Sequence, residues 1–361
     1  MRRYLGAALV VLGAFLLGLG LLAKPYLYTK LATVPLDQQS TSVSVGHDMS
    51  VLYPHAVNGS AALDKLKGVT VKSTRTVQGI PGLVADKNLQ DTTAFWQTQV
   101  KSQAEVDKKW VDLSYSDEGV SIDRVNAQIA NCCGDYKSVG DLDNPQKTQQ
   151  VTREGLFFKF PFDVQKQSYP WWDGDQNKAN PIDFKEEADL FGTKVYVFSQ
   201  TLPVTEVASR DGIPATLFSP TATGTVTAKV MYGNTRTLWV EPVTGVIIKG
   251  EEKVNKNLVS SLGTVPMTVG TIGYDEATIK DNADTWGTKA GLLAFIKNTF
   301  PMLGILLGLA LIAGGLLLVV RGRGSAAAPA ASAQPRVVEG GAGDVFGEGD
   351  ATTRRRRDLQ G

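Results

Sequence analysis

The hydrophobic pattern divides the chain into two uncharged ends and a long alternating middle. The segments Leu5–Ala23 and Met302–Val320 each run for 19 positions without a charged side chain. A helix rises ~1.5 Å per residue, so each segment nearly crosses a hydrocarbon core of ~30 Å. The pattern therefore predicts transmembrane helices at 5–23 and 299–320, on either side of a central domain at 24–298.

Between these spans the dominant pattern is alternation of apolar and polar side chains. It is clearest at 69–78, 111–115 and 225–232, and it is typical of half-buried β-strands. In the run "RTLWVEPVTGVIIKGEE" the segment Pro242–Gly245 separates two β-rich stretches, which predicts a hairpin. Since no long helical period intervenes between strands, we expect a mainly β domain: a large antiparallel sheet, a sandwich or an open barrel, rather than an α/β fold.

The segment 275–300, just before the second span, differs from the strands in having a helix-compatible composition. Trp286, Leu292, Phe295 and Ile296 are spaced so that they can share one helical face. We expect an amphipathic stalk that leads into the second span.

The distribution of basic residues predicts the orientation of the chain in the membrane. Arg2 and Arg3 precede the first span, and Arg321 and Arg323 follow the second. Basic residues favour the cytoplasmic side, so residues 1–4 and 321–361 are expected in the cytoplasm and the central domain outside a plasma membrane. The tail is rich in Gly, Ala and Pro, which predicts disorder. A cleaved signal peptide is the alternative for the first span, but its apolar region exceeds the usual ~7–15 residues.

The most aromatic part of the chain lies far from both spans, at 155–175, where seven of 21 residues are aromatic. Alternation places Phe158 and Phe160 on one face of an expected core strand. The following "SYPWWDGD" is expected to be a turn, from which Trp171 and Trp172 cannot both point inward. One ring would then lie exposed or in a groove; the alternative is that both cap the sheet's core. All four residues are tentative ligand-binding candidates, for a lipid or a membrane surface.

Cys132 and Cys133 are the chain's two cysteines. In an oxidising compartment they can bond to each other, pair between chains, or stay buried and reduced. Neighbouring Cα atoms lie ~3.8 Å apart, less than the usual disulfide range of ~4.4–6.8 Å, so a vicinal bridge makes a tight turn. We expect the Cys132–Cys133 bond, with a turn-locking role rather than redox catalysis.

Composition and motifs give no indication of catalysis or nucleic-acid binding. The net charge is +1, and neither His47 nor His55 lies near a recognisable nucleophile motif. The run Asp173–Asn177 opens like a calcium loop but lacks that motif's glycine and glutamate. We therefore expect a non-enzymatic protein without a cofactor, a metal ion or a nucleic-acid partner.

Small residues recur within the spans at a spacing that favours helix packing. Gly304 and Gly308 form a G-x-x-x-G pattern in the second span, and Ala14 and Gly18 match it in the first. Small side chains let helix backbones approach closely, so we expect these positions to pack against each other or against a partner. The alternative is the ordinary Gly and Ala content of transmembrane helices.

Three sequence runs between the spans carry a resemblance to a known family. They are "REGLFFKFPFDVQKQSYPWWD", "FGTKVYVFSQ" and "LWVEPVTGVIIKGEE". With the two spans, their order resembles a family of actinobacterial envelope proteins of unknown function, sometimes labelled PorA-type porins, over roughly residues 1–322. The resemblance implies a role in envelope biogenesis, including lipoglycan maturation and glycolipid traffic. The plan of two anchors around a β domain is also similar to the scavenger-receptor class B proteins, which pass lipid through a tunnel.

These observations lead to one main functional hypothesis and two alternatives. We expect the exported domain to bind or transfer an envelope lipid, glycolipid or lipoglycan, beside a membrane transporter or glycosyltransferase. The first alternative is a scaffold that recruits envelope enzymes without holding a lipid. The second is a porin, although a porin barrel needs an apolar band made by strands and needs no apolar helices.

The orientation is tested by cysteine labelling of whole cells. Single cysteines replace Ser60 and Ser332 in a background that lacks Cys132 and Cys133. A membrane-impermeant thiol reagent should label the first site and spare the second, because the basic residues hold both termini inside. The reverse pattern would contradict an exported central domain.

Overall fold

The computed structural model describes residues 2–57, 60–139 and 147–321. Its main feature is a 12-stranded antiparallel sheet with long helices at both ends of the chain, which confirms the predicted fold class. Most of the predicted tail, from residue 322 onward, lies outside the described residues. The strands are β1 Gln39–Val57, β2 Ser60–Gly79, β3 Thr93–Val106, β4 Lys109–Asp123, β5 Tyr136–Ser138, β6 Thr148–Gln150, β7 Tyr169–Asp173, β8 Lys178–Leu190, β9 Thr193–Pro214, β10 Thr225–Val240, β11 Ile247–Ser260 and β12 Gly263–Tyr274.

The helices form two continuous rods. The first comprises α1 Arg2–Leu22, a π-helical stretch Ala23–Tyr28 and α2 Thr29–Leu31; the second comprises α4 Glu276–Ala294, a π-helical stretch Phe295–Thr299 and α5 Phe300–Arg321; a short α3 Pro81–Ala85 joins β2 to β3. Both rods are long and apolar enough to span a membrane. The helix predicted before the second span is present as α4, although Phe295 and Ile296 of the predicted apolar face lie in the π-helical stretch that follows it. The end of the sheet where β1 begins and β12 ends, next to both rods, is called the helical end below.

Glycines hold α1 against α5. A Cβ added at Gly308 would lie 2.7 Å from the carbonyl oxygen of Gly13, and one at Gly304 would lie 2.9 Å from the Cα of Gly20. Such distances leave no room for a side chain, so the two backbones meet directly. The predicted packing role of Gly304 and Gly308 agrees with this geometry. In the first span, however, the contacts are made by Gly13 and Gly20, whereas Gly18 faces open space.

The strands follow each other around a ring. Each pairs with its neighbour in sequence except β6 and β7, which are the two ends of the sheet; β1 also pairs with β12, and the hairpin predicted between β10 and β11 is confirmed by the pairing of Val240 with Ile247. The ring is closed by isolated bridges. Ile122 of β4 pairs with Ile129, and Leu156 pairs on one side with Gln128 and on the other with Trp171 of β7. Residues 128–129 and Leu156 thus join β4 to β7.

The closure depends on a glycine. Gly155 has φ +76°, and a Cβ there would lie 2.5 Å from the carbonyl oxygen of Pro170. Its own carbonyl accepts from the amide of Ile129 (2.9 Å), while the amide of Leu156 donates to Pro170 (2.8 Å). Only glycine adopts this left-handed backbone without steric cost, so the chain can pass between two strands at this point.

The aromatic run that follows is not the strand that alternation predicts. Residues 157–164 are irregular, and their amides donate to the β10–β11 turn: Phe160 to Gly245 (2.8 Å) and Val164 to Pro242 (2.7 Å). The turn supplies acceptors for part of the segment, which therefore needs no neighbouring strand. Pro161 also lacks an amide to donate to a ladder.

The expected turn at 168–175 is also wrong, because residues 169–173 form β7. Trp171 and Trp172 are 6% and 7% exposed, so neither ring is left outside as the turn would require. Trp171 packs on Phe160, with ring centroids 5.3 Å apart. Both faces of this short strand are covered, which is why an extended backbone accommodates two buried indoles. The alternative of two rings in the core describes the structure.

The aromatic segment connects two hydrophobic clusters on opposite walls of the ring. Phe160 is fully buried in a cluster formed with residues of β7, β8, β9 and β10. Phe158 packs in a second cluster with residues of β2, β3 and β4, and its ring centroid lies 5.2 Å from that of Trp96. We call the face of the sheet that these rings contact the inner face.

Substitution at the helix contact tests how strongly α1 and α5 are coupled. Gly308→Val should lower the thermal midpoint of the full chain in detergent, because overpacking costs ~1–3 kcal/mol. Gly314→Val is the matched control, since no atom lies within 4 Å of a Cβ at that position of the same helix. Both midpoints are followed by far-UV circular dichroism. Equal midpoints for the two variants would contradict the close contact.

Candidate ligand site at the helical end of the sheet

A cavity of about 630 Å³ lies at the helical end of the sheet. It is bounded by the start of β1 and the inner face of β2 and β3, by the aromatic segment, and by α4. Ligand sites of small molecules fall in the range of ~300–1,000 Å³, so the volume suits a ligand or part of a lipid. The cavity lining includes Leu31, Ser42, Arg75, Trp96, Phe158, Lys159, Phe162, Asp281, Trp286, Lys289, Leu292 and Leu293.

The helix α4 is fixed on the sheet so that one of its faces lines the cavity. Its first turn is capped by Asp275, whose side chain accepts from the amide of Thr278 (2.8 Å). Ala283 is buried against the outer side of the sheet, where its carbonyl accepts from the Thr193 hydroxyl (3.0 Å). Trp286 packs at the edge of the hydrophobic cluster that contains Ala283 and also lines the cavity, together with Lys289, Leu292 and Leu293 further along the helix.

Apolar side chains line the cavity on two sides. Trp96 and Phe158 lie on the side of the sheet, and Leu31 and Leu293 lie on the side of the helices. Leu292, on the same rim, is 60% exposed. An apolar wall that continues into exposed leucines next to a membrane-spanning helix allows an acyl chain to enter from the bilayer side.

Cations outnumber acids in the cavity lining. Arg75 lies two residues before the buried Val77 on β2, and therefore points to the inner face. Lys289 lies 4.1 Å from the centroid of the Trp286 ring. Together with Lys159 they give three positive side chains against one carboxylate, Asp281.

Lys159 is the unusual member of this group because it is buried. It is 6% exposed, its ammonium donates to the carbonyl of Phe160 (2.7 Å), and it lies 4.0 Å from the centroid of the Phe162 ring. Burial lowers the pKa of Lys159 to about 7, and the negative charge of Glu241 opposes this shift. Within the described residues, no carboxylate lies at ion-pair distance from Lys159.

Glu241 is engaged elsewhere. Its carboxylate accepts from the amides of Val243 (2.9 Å) and Thr244 (2.7 Å) and from the Thr244 hydroxyl (2.5 Å). These three bonds hold the β10–β11 turn in shape, and the same turn supplies the acceptors for the aromatic segment. The acid therefore builds the cavity without pairing with the lysine in it.

One ion pair ties the aromatic segment to the helices. Lys297, in the π-helical stretch between α4 and α5, lies 2.8 Å from the carboxylate of Asp163 and 5.3 Å from the Tyr28 ring centroid. The aromatic segment, which forms one wall of the cavity, is thus fixed on two sides. The β10–β11 turn holds it to the sheet, and Lys297 holds it to the helical rod.

Strands β7, β9 and β10, which contribute to the aromatic cluster, also carry a polar cluster that the sequence analysis did not predict. Arg236 of β10 bonds to Glu252 (2.7 Å), Gln200 (2.8 Å) and Asp173 (3.3 Å), and the Tyr232 hydroxyl donates to Asp173 (3.0 Å). Burial lowers the pKa of Arg236, but Glu252 and Asp173 more than compensate and hold it above its ordinary value. These bonds join β7, β9, β10 and β11, so the cluster fixes strand register.

The other predicted site residues take structural positions. Phe158 lines the cavity, whereas Phe160, Trp171 and Trp172 are buried in the protein interior away from it. Cys132 and Cys133 are bonded to each other and pack with Phe95 and Val84 on the outer side of the sheet. Within the described residues, no group of three or more metal-ligating side chains is found.

Because burial lowers the pKa of Lys159, we expect the free energy of unfolding to depend on pH. Between the folded pKa of about 7 and the ordinary value of 10.5, the unfolded chain binds the proton and the folded chain does not. Stability therefore rises with pH in this window, by about 1.4 kcal/mol per pH unit at most. Below pH 7 both states are protonated and the cost of burying the charge is fully present.

Lys159→Met removes this cost. The thermal midpoint of the variant should exceed that of the unmodified full chain at pH 6, and the difference should shrink by several degrees at pH 9. Lys101→Met, which removes an exposed lysine paired with Asp112, is the control and should show no such change with pH. A difference that is the same at both pH values would contradict a buried, titrating Lys159.

Comparison with known proteins places the whole arrangement in a family. The family model described as Porin PorA matches residues 5–317. A protein named Porin PorA from Corynebacterium amycolatum is 26% identical over 299 residues, covering 70% of this chain and 78% of its own length. Another of that name from Corynebacterium resistens is 23% identical over 336 residues, covering 70% and 77%. Since the family model spans both helical rods and the sheet between them, the chain belongs to the family described as Porin PorA.

Proposed function

We propose that the sheet domain binds a membrane amphiphile in the cavity at its helical end. The observation that carries this proposal is the position of the cavity: Leu31 and Leu293 of the two membrane-spanning rods form part of its wall. A lipid chain can pass from the bilayer along Leu292 into the cavity without crossing a polar surface. The mixed lining, with aromatic rings and cations, matches a molecule with an apolar chain and a polar head.

We further infer that this binding serves the building of a cell envelope. The two apolar rods support a protein that stays in the membrane. In our proposal it hands a lipid, glycolipid or lipoglycan to a transporter or glycosyltransferase beside it. The sheet domain would face the outside, as the basic residues Arg2, Arg3 and Arg321 favour. In this role the domain carries and presents its ligand rather than catalysing a reaction.

A porin is the second candidate, because both relatives carry that name and the strand pairing closes into a ring. The outer face of the sheet argues against a barrel that lies in the bilayer. Lys72 pairs across from Gln103, and Thr74 from Lys101, on the side opposite the buried Val71. A strand barrel in lipid needs an apolar band there. Conductance of the purified chain in planar bilayers distinguishes a porin from a carrier that does not conduct.

Photo-crosslinking tests whether a lipid enters the cavity. A photoreactive amino acid at Phe158, in the cavity wall, should form adducts with cellular lipid that are detected by mass spectrometry of the full chain. The same amino acid at Trp110, 41% exposed beside the β3–β4 turn and outside the cavity lining, is the control and should give none.

The outcomes separate the candidates. Adducts at Phe158 alone support the lipid-binding cavity. If neither position gives a lipid adduct, but the amino acid at position 158 crosslinks to another protein, the scaffold alternative holds and the proposal fails. Equal adducts at both positions would mean that lipid coats the sheet without selection, which also contradicts a specific site.

A further inference from the structure

The charged side chains that line the cavity indicate which ligand charge it accepts. Three cationic side chains and one carboxylate line it, and the most buried of the cations, Lys159, lacks an ion-pair partner within the described residues. An ammonium donates three hydrogen bonds, whereas the protein supplies Lys159 with one carbonyl acceptor, that of Phe160. Burying such a group costs free energy unless a partner satisfies it.

A purely structural role for Lys159 does not explain its surroundings. Buried lysines that hold a fold together are paired with a carboxylate, and the nearby Glu241 is already occupied by the amides and hydroxyl of its own turn. By contrast, Arg236 inside the same ring is matched by Glu252, Asp173 and Gln200. The chain therefore gives one buried cation three acceptors, two of them carboxylates, and leaves another facing a cavity.

We propose that the cavity selects an anionic amphiphile and that the phosphate or carboxylate of its head group is held by Lys159, with Arg75 and Lys289 at the rim. This inference rests on the proposed function and adds to it the charge of the ligand. The head group supplies the acceptors that the buried ammonium lacks. Charge-assisted bonds of this kind are about twice as strong as neutral ones.

The apolar lining decides between a lipid head group and a free anion. A soluble phosphate would use the cations and leave Trp96, Phe158 and Phe162 in contact with water or empty space. A lipid satisfies both parts of the cavity, since its chain lies along these rings and along Leu293. Trp286, with Lys289 over its ring, lies between the two parts and places an amphipathic side chain at the boundary of head and tail.

Tryptophan quenching by brominated lipids tests the selection. The full chain is titrated in detergent with phosphatidylglycerol or phosphatidylcholine, each with bromine on its acyl chains. Trp96 lines the cavity on the side of the sheet, whereas Trp286 lies on the second helical rod and Trp110 is exposed outside the cavity. The part of the quenching that a Trp96→Phe variant loses therefore reports entry into the cavity. The phosphatidylglycerol should quench at about tenfold lower concentration than the phosphatidylcholine, since the choline cation of the latter cancels the charge of its phosphate and is repelled by the cationic side chains of the lining.

The variants assign the effect to named side chains. Lys159→Met and Arg75→Gln should each weaken quenching by the anionic lipid about tenfold or less, and should weaken quenching by the zwitterionic lipid by a smaller factor, because its choline already offsets the charge of its phosphate. Lys101→Met removes one positive charge from the outer face of β3 and is the matched control, with no change expected. Because Lys159→Met replaces a buried charge by an apolar chain of similar length, it is expected to fold, and Arg75→Gln tests the same point independently.

Each remaining outcome has a distinct meaning. Equal quenching by the two lipids overturns the selection for an anion but leaves lipid binding intact. If neither lipid quenches, both this inference and the proposed function fail. Displacement of the brominated lipid by glycerol phosphate at the same concentration as the lipid itself would identify a soluble anion as the ligand and overturn the assignment to a lipid.

Discussion

The backbone hydrogen bonds on the two sides of Leu156 are the constraint on which the rest of the structure depends. A meandering antiparallel sheet has two free edges, and unpaired edge groups must find partners or be covered. Here β4 and β7 are joined through residues 128–129 and the single residue Leu156, which has Gln128 on one side and Trp171 on the other. Gly155, with its left-handed backbone, allows the chain to enter this narrow position.

The path of the chain after Leu156 follows from that closure. Once the segment has paired with β7, it continues through the inside of the ring, where the β10–β11 turn supplies acceptors for its amides. Its rings then fill the space between opposite walls, with Phe160 in one cluster and Phe158 in the other. The space that they leave unfilled, between the sheet and α4, is the cavity. The aromatic run is therefore mainly core, and its edge is the wall of the candidate site.

Much of the fold could be predicted because its information is local. Period-two alternation gives the strands, Pro242 and Gly245 give the hairpin, and long uncharged runs give the helical rods. The closure could not be predicted, since it pairs Leu156 with residues 28 positions before it and 15 after it and neither partner lies in a long strand. For the same reason, alternation in "FFKFPF" indicated a strand where the chain is irregular.

The candidate site was predictable in part. An aromatic run was expected to contact a ligand, and Phe158 does line the cavity, but Trp171 and Trp172 belong to the interior. Lys159 was missed because a lysine between phenylalanines usually points to solvent from a strand. The contribution of α4 depends on how a helix remote in sequence packs on the sheet.

The central claim is that the cavity at the helical end holds an amphiphile. Mass spectrometry of lipids extracted from the purified full chain tests it most directly, with Ser42→Trp as a variant that fills the cavity from its β1 wall. The account expects one class of anionic amphiphile at about one molecule per chain in the unmodified protein, and its loss from the folded variant. The same lipids in the same amounts from both proteins, or none from either, would contradict it.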